Sequence, residues 1–130
     1  MLKLRVLTIE SVAVDQEVEE LTVQTANGVT GILPSHSALL TKLEPGVFRF
    51  RAKGQEVRMV GSSGSLEVIG DKVTILIDEV LPIGEIDVER ARAERESLLN
   101  VLERRDMNVY ELQDARKKLK NVNAKISAVE

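Results

Sequence analysis

The glycines and prolines of this 130-residue chain are confined to its first 84 residues. All eight glycines and all three prolines lie at or before Gly84, and residues 85–130 contain neither. Glycine and proline mark turns and are unfavourable inside helices. The first segment therefore suits short elements separated by turns, and the second suits uninterrupted helices. This partition predicts two domains, residues 1–84 and residues 85–130.

Residues 1–84 carry the pattern of strands with one buried face. Leu2, Leu4 and Val6 alternate with Lys3 and Arg5 at the start of the chain, which is the period of a half-buried strand. Further runs rich in β-branched residues occupy residues 18–24, 47–51, 55–60, 66–69 and 73–77, with turn residues between them. Short strands at this spacing predict a sandwich or a barrel.

Residues 85–130 carry the pattern of two helices. Asp87 is a good N-cap for a helix over about residues 88–105, and Asn108 with Glu111 forms a capping-box-like start for a second helix. Apolar residues of the second helix are spaced alternately three and four apart: Leu112, Ala115, Leu119, Val122, Ile126 and Val129. The sequence predicts a connection of two or three residues, which makes the helices antiparallel. Each apolar stripe is narrow and contains alanines, so we expect this hairpin to need a further surface to pack on.

Composition excludes several classes of function. The net charge of −3 argues against a primary nucleic-acid binder, and the absence of cysteine excludes disulfides, thiol nucleophiles and Cys-ligated zinc. The single histidine, His36, has no acidic residue within seven positions and no nucleophile-elbow motif around it. We therefore predict no catalytic residue and no metal site. Charges interrupt every apolar run, so neither a signal peptide nor a membrane span is expected.

Three motifs have competing interpretations. The segment from Gly61 to Gly64 is interpreted as a turn, since a phosphate loop requires a Gly-Lys-Ser/Thr that opens a helix. The basic cluster at residues 116–120 fits a solvated helix face better than a surface for nucleic acid or acidic lipid. Asp87 and Arg90 form either an N-cap with an exposed ion pair or a polar nucleotide site at a helix N-terminus.

Several of these segments together resemble a known family. Residues 31–41, Gly-Ile-Leu-Pro-Ser-His-Ser-Ala-Leu-Leu-Thr, are followed by Leu-Glu-Pro-Gly at 43–46, by Gly-Ser-Ser-Gly-Ser-Leu-Glu-Val at 61–68, and by Ile-Asp-x-x-Arg-Ala at 86–91. In this order and spacing they resemble the epsilon subunit of F-type ATP synthases of the bacterial type. The resemblance implies an α+β fold, with an N-terminal β-sandwich of about ten short strands and a C-terminal antiparallel two-helix hairpin.

The resemblance also implies a function. A subunit of this kind is not an enzyme; it is part of the central stalk and joins the catalytic head to the membrane rotor ring. Its β domain would bind the gamma subunit and the c subunits of the ring. Its hairpin would lie on the β domain or extend towards the alpha and beta subunits, where it restrains ATP hydrolysis. Membrane contact would be indirect, at the cytoplasmic face of the cell membrane, and no cofactor is required.

The resemblance assigns expected roles to individual residues. ATP, as a regulatory ligand, is expected at Ile86, Asp87, Arg90 and Ala91. Contact with the ring or gamma is expected at five residues: Val29, Ile32, Leu33, His36 and Thr41. Pro82 and Gly84 are the expected hinge.

The chain also departs from the family pattern. Nucleotide-binding members often carry an acidic residue at the position of Leu81 and a basic one near Ser97, so the ATP motif has fewer supporting polar groups here. Two rival hypotheses remain: a β-domain adaptor whose hairpin mediates coiled-coil assembly, and a small enzyme that uses His36, Asp87 and Arg90.

Overall fold

The computed structural model describes all 130 residues and places ten strands before two helices. The α+β prediction is confirmed. The strands are β1 Leu2–Leu7, β2 Val12–Val18, β3 Glu20–Thr25, β4 Gly28–Ile32, β5 Leu39–Leu43, β6 Gly46–Ala52, β7 Gln55–Gly61, β8 Gly64–Ile69, β9 Lys72–Ile77 and β10 Val80–Pro82. A short 3-10 helix, Ile83–Glu85, precedes helix α1 Val88–Leu102 and helix α2 Val109–Val129.

The strands form a single sheet that is folded into two layers around one core. Its order is β10-β7-β6-β3-β5-β8-β9-β1-β2, and β4 pairs with β3 beside this path. The pair β1–β9 is parallel, and every other pair is antiparallel. Leu4 of β1 and Met59 of β7, which are far apart in this order, belong to the same cluster of 17 buried side chains. The sheet must therefore curve back on itself to enclose them.

The predicted alternation of β1 is present in the structure. Leu2, Leu4 and Val6 are fully buried, while Lys3 and Arg5 between them are exposed. Each such burial contributes about 1.5–3 kcal/mol to folding. Aliphatic residues supply most of this core, as the low aromatic content of the chain requires, although Phe48 and Phe50 are both part of it.

Gly64 marks a close approach between β8 and β9. It pairs with Ile77, and a Cβ added at Gly64 would collide with the carbonyl oxygen of Leu76 and with the Ile77 side chain. The obstacle is partly backbone, which cannot move aside as a flexible side chain can. Glycine is therefore required here by packing.

Both helix starts agree with the sequence-based prediction. The Asp87 carboxylate accepts a hydrogen bond from the Arg90 amide at 3.1 Å, and the Asn108 side chain accepts one from the Glu111 amide at 2.8 Å. Asn108 Nδ2 also donates to Glu111 Oε1 at 2.9 Å. The bonds to the Arg90 and Glu111 amides each satisfy a backbone group that has no partner inside the helix.

The connection between the helices was predicted wrongly. Helix α1 ends at Leu102 rather than near residue 105, and residues 103–108, six in all, join the helices instead of two or three. Arg104 and Asp106 stabilise this longer connection through two hydrogen bonds, from Nε to Oδ1 at 3.2 Å and from Nη2 to Oδ2 at 2.9 Å. The same pair raises the pKa of Arg104 and lowers the pKa of Asp106.

Candidate functional site

The candidate functional site is the surface on which the hairpin lies against the β-sandwich. Helix α2 packs against β6, β7 and the 3-10 helix, and α1 packs against α2. Only Ala91, Val122 and Ile126 form the buried apolar cluster between the helices, with Leu98 half-buried beside them. The sandwich core, by comparison, contains 17 buried residues. The apolar cluster that holds the hairpin together is therefore small.

Two ion pairs join α2 to the turn between β9 and β10. Lys117 Nζ lies 3.4 Å from Asp78 Oδ2, and Lys125 Nζ lies 3.6 Å from Glu79 Oε2. A polar cavity of about 270 Å³ lies between this turn and the two helices; Asn121 lines it. The hairpin thus contacts the sandwich through charges as well as through apolar side chains.

The four residues expected to bind ATP lie together at the start of α1. Asp87 acts as the N-cap, and its carboxylate bonds the backbone amide of Arg90 rather than the guanidinium. The Arg90 side chain is exposed and makes no ion pair, so the ion pair expected between Asp87 and Arg90 is absent. Ile86 is half-buried, and Ala91 is buried in the hairpin cluster. The arrangement leaves one cationic side chain free beside a helix N-terminus.

The five residues expected to contact the ring or gamma differ in exposure. Val29 and Leu33 are 72% and 58% exposed, while His36 and Thr41 are half-buried. Ile32 is fully buried, and it pairs with Leu21 of β3. Including Ile32 in a contact surface was wrong, because the alternation along β4 turns its side chain into the core.

The loop after β4 is held by hydrogen bonds. The amide of Ser35 donates to Asp71 Oδ1 at 2.8 Å, and the amide of His36 donates to the Leu33 carbonyl at 3.1 Å. The His36 ring Nδ1 lies 2.7 Å from the Ser37 carbonyl oxygen. These bonds fix Leu33 and His36 at the surface. Ser35 has a φ of +67°, in the left-handed region that glycine adopts more readily.

The two hinge residues lie on either side of a change in structure. Pro82 is the last residue of β10 and pairs with Met59 of β7, and Gly84 is inside the 3-10 helix that follows. A Cβ at Gly84 would meet no atom within 4 Å. Packing therefore does not demand glycine at this position, and the hinge stays a prediction.

Comparison with known proteins identifies the family. A family model described as "ATP synthase, Delta/Epsilon chain, beta-sandwich domain" matches residues 1–83. The ATP synthase epsilon chain of Persephonella marina is 38% identical over 107 residues, which is 82% of this chain and 79% of that protein. The chloroplastic epsilon chain of Cyanidioschyzon merolae is 30% identical over 128 residues, 98% of this chain and 97% of that protein.

The chain belongs to the ATP synthase epsilon chain family. The sequence resemblance to that family is confirmed. Because the relatives carry the name of a subunit of ATP synthase, the chain is a subunit rather than an enzyme in its own right. The match to the chloroplastic epsilon chain extends through both helices, so the hairpin as well as the sandwich belongs to this family.

Solved structures share the fold of this epsilon-family chain. A chain in a structure of the Euglena gracilis mitochondrial ATP synthase, described as OSCP/F1/c-ring, has a TM-score of 0.84 at 22% identity; the match covers 99% of this chain and 81% of that chain. A chain in the Tetrahymena thermophila mitochondrial ATP synthase, described as central stalk/c-ring, has a TM-score of 0.68 at 15% identity, covering 99% and 96%. Neither helix has the length and apolar character needed to cross a membrane.

Sequence reasoning missed the residues that join the hairpin to the sandwich. The sequence pattern favours a plain turn at Ser62 and a solvated helix face at Lys117, yet Ser62 is buried and Lys117 pairs with Asp78. The one sequence signal for this contact is the spacing of Lys117 and Lys125, which are eight positions apart and so lie on one side of the helix. Nothing in the sequence indicates that the acidic turn formed by Asp78 and Glu79 lies opposite these two lysines.

Proposed function

We propose that the chain is a central-stalk subunit of an F-type ATP synthase that restrains ATP hydrolysis through a mobile hairpin. The β-sandwich attaches to the gamma subunit and to the c subunits of the rotor ring. The hairpin either lies on the sandwich or extends towards the alpha and beta subunits. The subunit lies at the cytoplasmic face of the cell membrane and touches the membrane only through the complex.

The observation that supports this function best is the contrast between the two domains. The sandwich has one large core, whereas the hairpin has a cluster of three buried apolar residues between its helices and rests on the sandwich partly through charged pairs. An element that alternates between two positions must have a similar free energy in both. A thinly packed hairpin meets that requirement, and a deeply packed one would not. The solved chains of the same fold come from assemblies described as containing a c-ring.

A truncated chain tests the function of the hairpin. An ATP synthase complex assembled with residues 1–84 is expected to form with the same stoichiometry as one with the full chain, and to hydrolyse ATP faster. The matched control is the full chain with Leu99→Ala, a change at a 46%-exposed position of α1. Equal hydrolysis with residues 1–84 and with the full chain would contradict the proposal.

The attachment surface has its own test. Val29 is an exposed apolar side chain on β4, and Leu33 is one at the start of the loop after β4, which hydrogen bonds hold in place. The double variant Val29→Lys/Leu33→Lys is expected to lower co-purification with the rotor ring and gamma, since a charge at either position opposes apolar contact. Leu99→Lys introduces the same charge at an exposed leucine of α1 and should leave this binding unchanged. Equal loss in both variants would argue against this surface.

ATP sensitivity is proposed on the free Arg90 side chain at the N-terminus of α1. Phosphate groups are favoured at such a terminus, and a guanidinium binds them with two hydrogen bonds. Titration of the full chain with ATP is expected to show binding that Arg90→Ala weakens by tenfold or more, about 1.4 kcal/mol. Arg92→Ala is the control, because Arg92 already pairs with Glu89 and Glu130. No heat or spectral shift at millimolar ATP would overturn this part of the proposal.

The rival hypothesis of a coiled-coil adaptor makes a different prediction. An adaptor would associate through its hairpin without gamma. A stalk subunit forms a stoichiometric complex with gamma, and it does so even when residues 85–130 are absent. Co-purification of residues 1–84 with gamma therefore separates the two hypotheses.

A further inference from the structure

We propose that Asp78, Glu79, Lys117 and Lys125 form an ionic latch that sets how often the hairpin leaves the sandwich. This inference rests on the proposed mobility of the hairpin and adds how its resting position is controlled. The latch predicts that salt concentration and single charges, rather than apolar packing alone, determine the fraction of chains with the hairpin released.

The geometry places three residues of α2 opposite the acidic turn. Lys117, Asn121 and Lys125 follow one another at intervals of four, so they share one side of the helix. The outer two are eight residues apart, about 12 Å along the axis, and each contacts one of two adjacent carboxylates. Asn121 lies between them, and its buried Oδ1 has no hydrogen-bond partner.

The Ser62 side chain fixes the acidic turn through hydrogen bonds to its backbone. Its side chain is buried, and its Oγ accepts hydrogen bonds from the amides of Asp78 and Glu79 at 3.1 and 3.0 Å. The Ser62 amide in turn donates to the Glu79 carbonyl at 3.0 Å. Two amides bound to one oxygen fix the backbone from which both carboxylates project. The position of the negative charges is therefore set by the sandwich, independently of α2.

The two pairs are unequal. The Lys117 and Asp78 side chains are both more than half exposed, so solvent and salt screen their attraction strongly. The Lys125 side chain is only 22% exposed. Its partner Glu79 is 58% exposed, so the Lys125–Glu79 pair is less screened on the lysine side only. The cavity beside the latch is lined by further charges on α1 and α2, among them Glu94, Asp114 and Lys118. Lys118 pairs with Asp114 within α2 at 3.0 Å and makes no ion pair with the sandwich.

Fluorescence energy transfer within the full chain measures the latch directly. The protein has no cysteine, so labels placed at Ile9→Cys and Tyr110→Cys, both at highly exposed positions, report the separation of sandwich and hairpin. Lys125→Gln and Glu79→Gln are each expected to raise the ratio of released to docked chains about two- to fivefold at low salt. About 1 M NaCl, where screening extends over only about 3 Å, should bring the unaltered chain close to the variants.

Lys118→Gln is the matched control, because it removes one lysine from the same helix without touching the sandwich. It is expected to change the ratio by less than either latch variant. The exchanged pair Glu79→Lys/Lys125→Glu should restore docking relative to its two single variants. Ser62→Ala alters no charge, and it should nevertheless increase release because it frees the acidic turn.

The outcomes separate the latch from the proposed function. Release by Lys125→Gln that only equals release by Lys118→Gln, with no recovery in the exchanged pair, overturns the latch and leaves the mobile hairpin intact. A hairpin that stays docked in every variant and at every salt concentration overturns both the latch and the mobile hairpin. Coupled effects at Glu79 and Lys125, with a smaller salt dependence when either is neutralised because only the Lys117–Asp78 pair then remains, are the result that the latch predicts.

Discussion

Replacing Ile126 with alanine removes the largest fully buried side chain of the hairpin. It deletes three carbon atoms from a cluster whose other buried members are Ala91 and Val122. The transfer term alone is about 2.4 kcal/mol at 0.8 kcal/mol per methylene, and the cavity left behind raises the cost to about 2–4 kcal/mol. Each ion pair to the sandwich contributes less than about 1 kcal/mol. The apolar loss is therefore larger than the ionic contacts can offset, and we expect the hairpin to undock and fray.

Two probes distinguish this local effect from global unfolding. Ellipticity at 222 nm should fall at low temperature in Ile126→Ala, because an isolated hairpin is marginal in water. Hydrogen exchange of β1, β8 and β9 should stay slow, because Ile126 is not part of the 17-residue sandwich core. Leu99→Ala is the control, with an expected change of less than about 0.5 kcal/mol for an exposed position. Loss of protection in the sandwich at the same temperature as loss of helix would refute the reasoning, because it would show that the two domains unfold as one unit.

Three further predictions concern single sites. Gly64→Ala is expected to destabilise the sandwich by about 1–3 kcal/mol in denaturant unfolding, since the new methyl group meets the backbone carbonyl of Leu76. Ser35→Gly is expected to stabilise the chain by up to about 1 kcal/mol in the same assay: relief of a left-handed conformation gains about 1–2 kcal/mol, which exceeds the entropy cost of glycine, about 0.5–1 kcal/mol. The lowered pKa of Asp106 means that its pair with Arg104 contributes stability above the ordinary carboxylate pKa and loses it as pH falls through the lowered value. Asp106→Asn should therefore reduce helix stability at neutral pH, and the difference from the unaltered chain should vanish in acid.

Local signals in the sequence predicted the elements well. The confinement of glycine and proline to the first 84 residues indicated where strands give way to helices, and the side chains of Asp87 and Asn108 cap α1 and α2 as predicted. Caps depend on residues three positions apart, so a single sequence contains the information needed to recognise them. The same holds for the burial of alternate residues in β1.

Features that depend on distant residues were not predictable in this way. Ile32 was assigned to a contact surface, but its partner Leu21 lies on another strand and places it in the core. Ser62 is buried because β10 returns to pair with β7, which brings Glu79 above it. The acidic turn and the two lysines of α2 are about 40 residues apart in sequence, and only the folded chain brings them together.

The most direct test of the central claim fixes the hairpin on the sandwich inside an assembled ATP synthase. Because the chain lacks cysteine, Glu79→Cys and Lys125→Cys provide two thiols that a short bifunctional reagent can join where the native ion pair lies. When the hairpin is cross-linked to the sandwich, the complex is predicted to hydrolyse ATP as fast as one assembled with residues 1–84. The same variant without the reagent should hydrolyse it more slowly. Equal rates with and without the cross-link, both below that of the truncated complex, would contradict the claim that the hairpin must leave the sandwich to restrain hydrolysis.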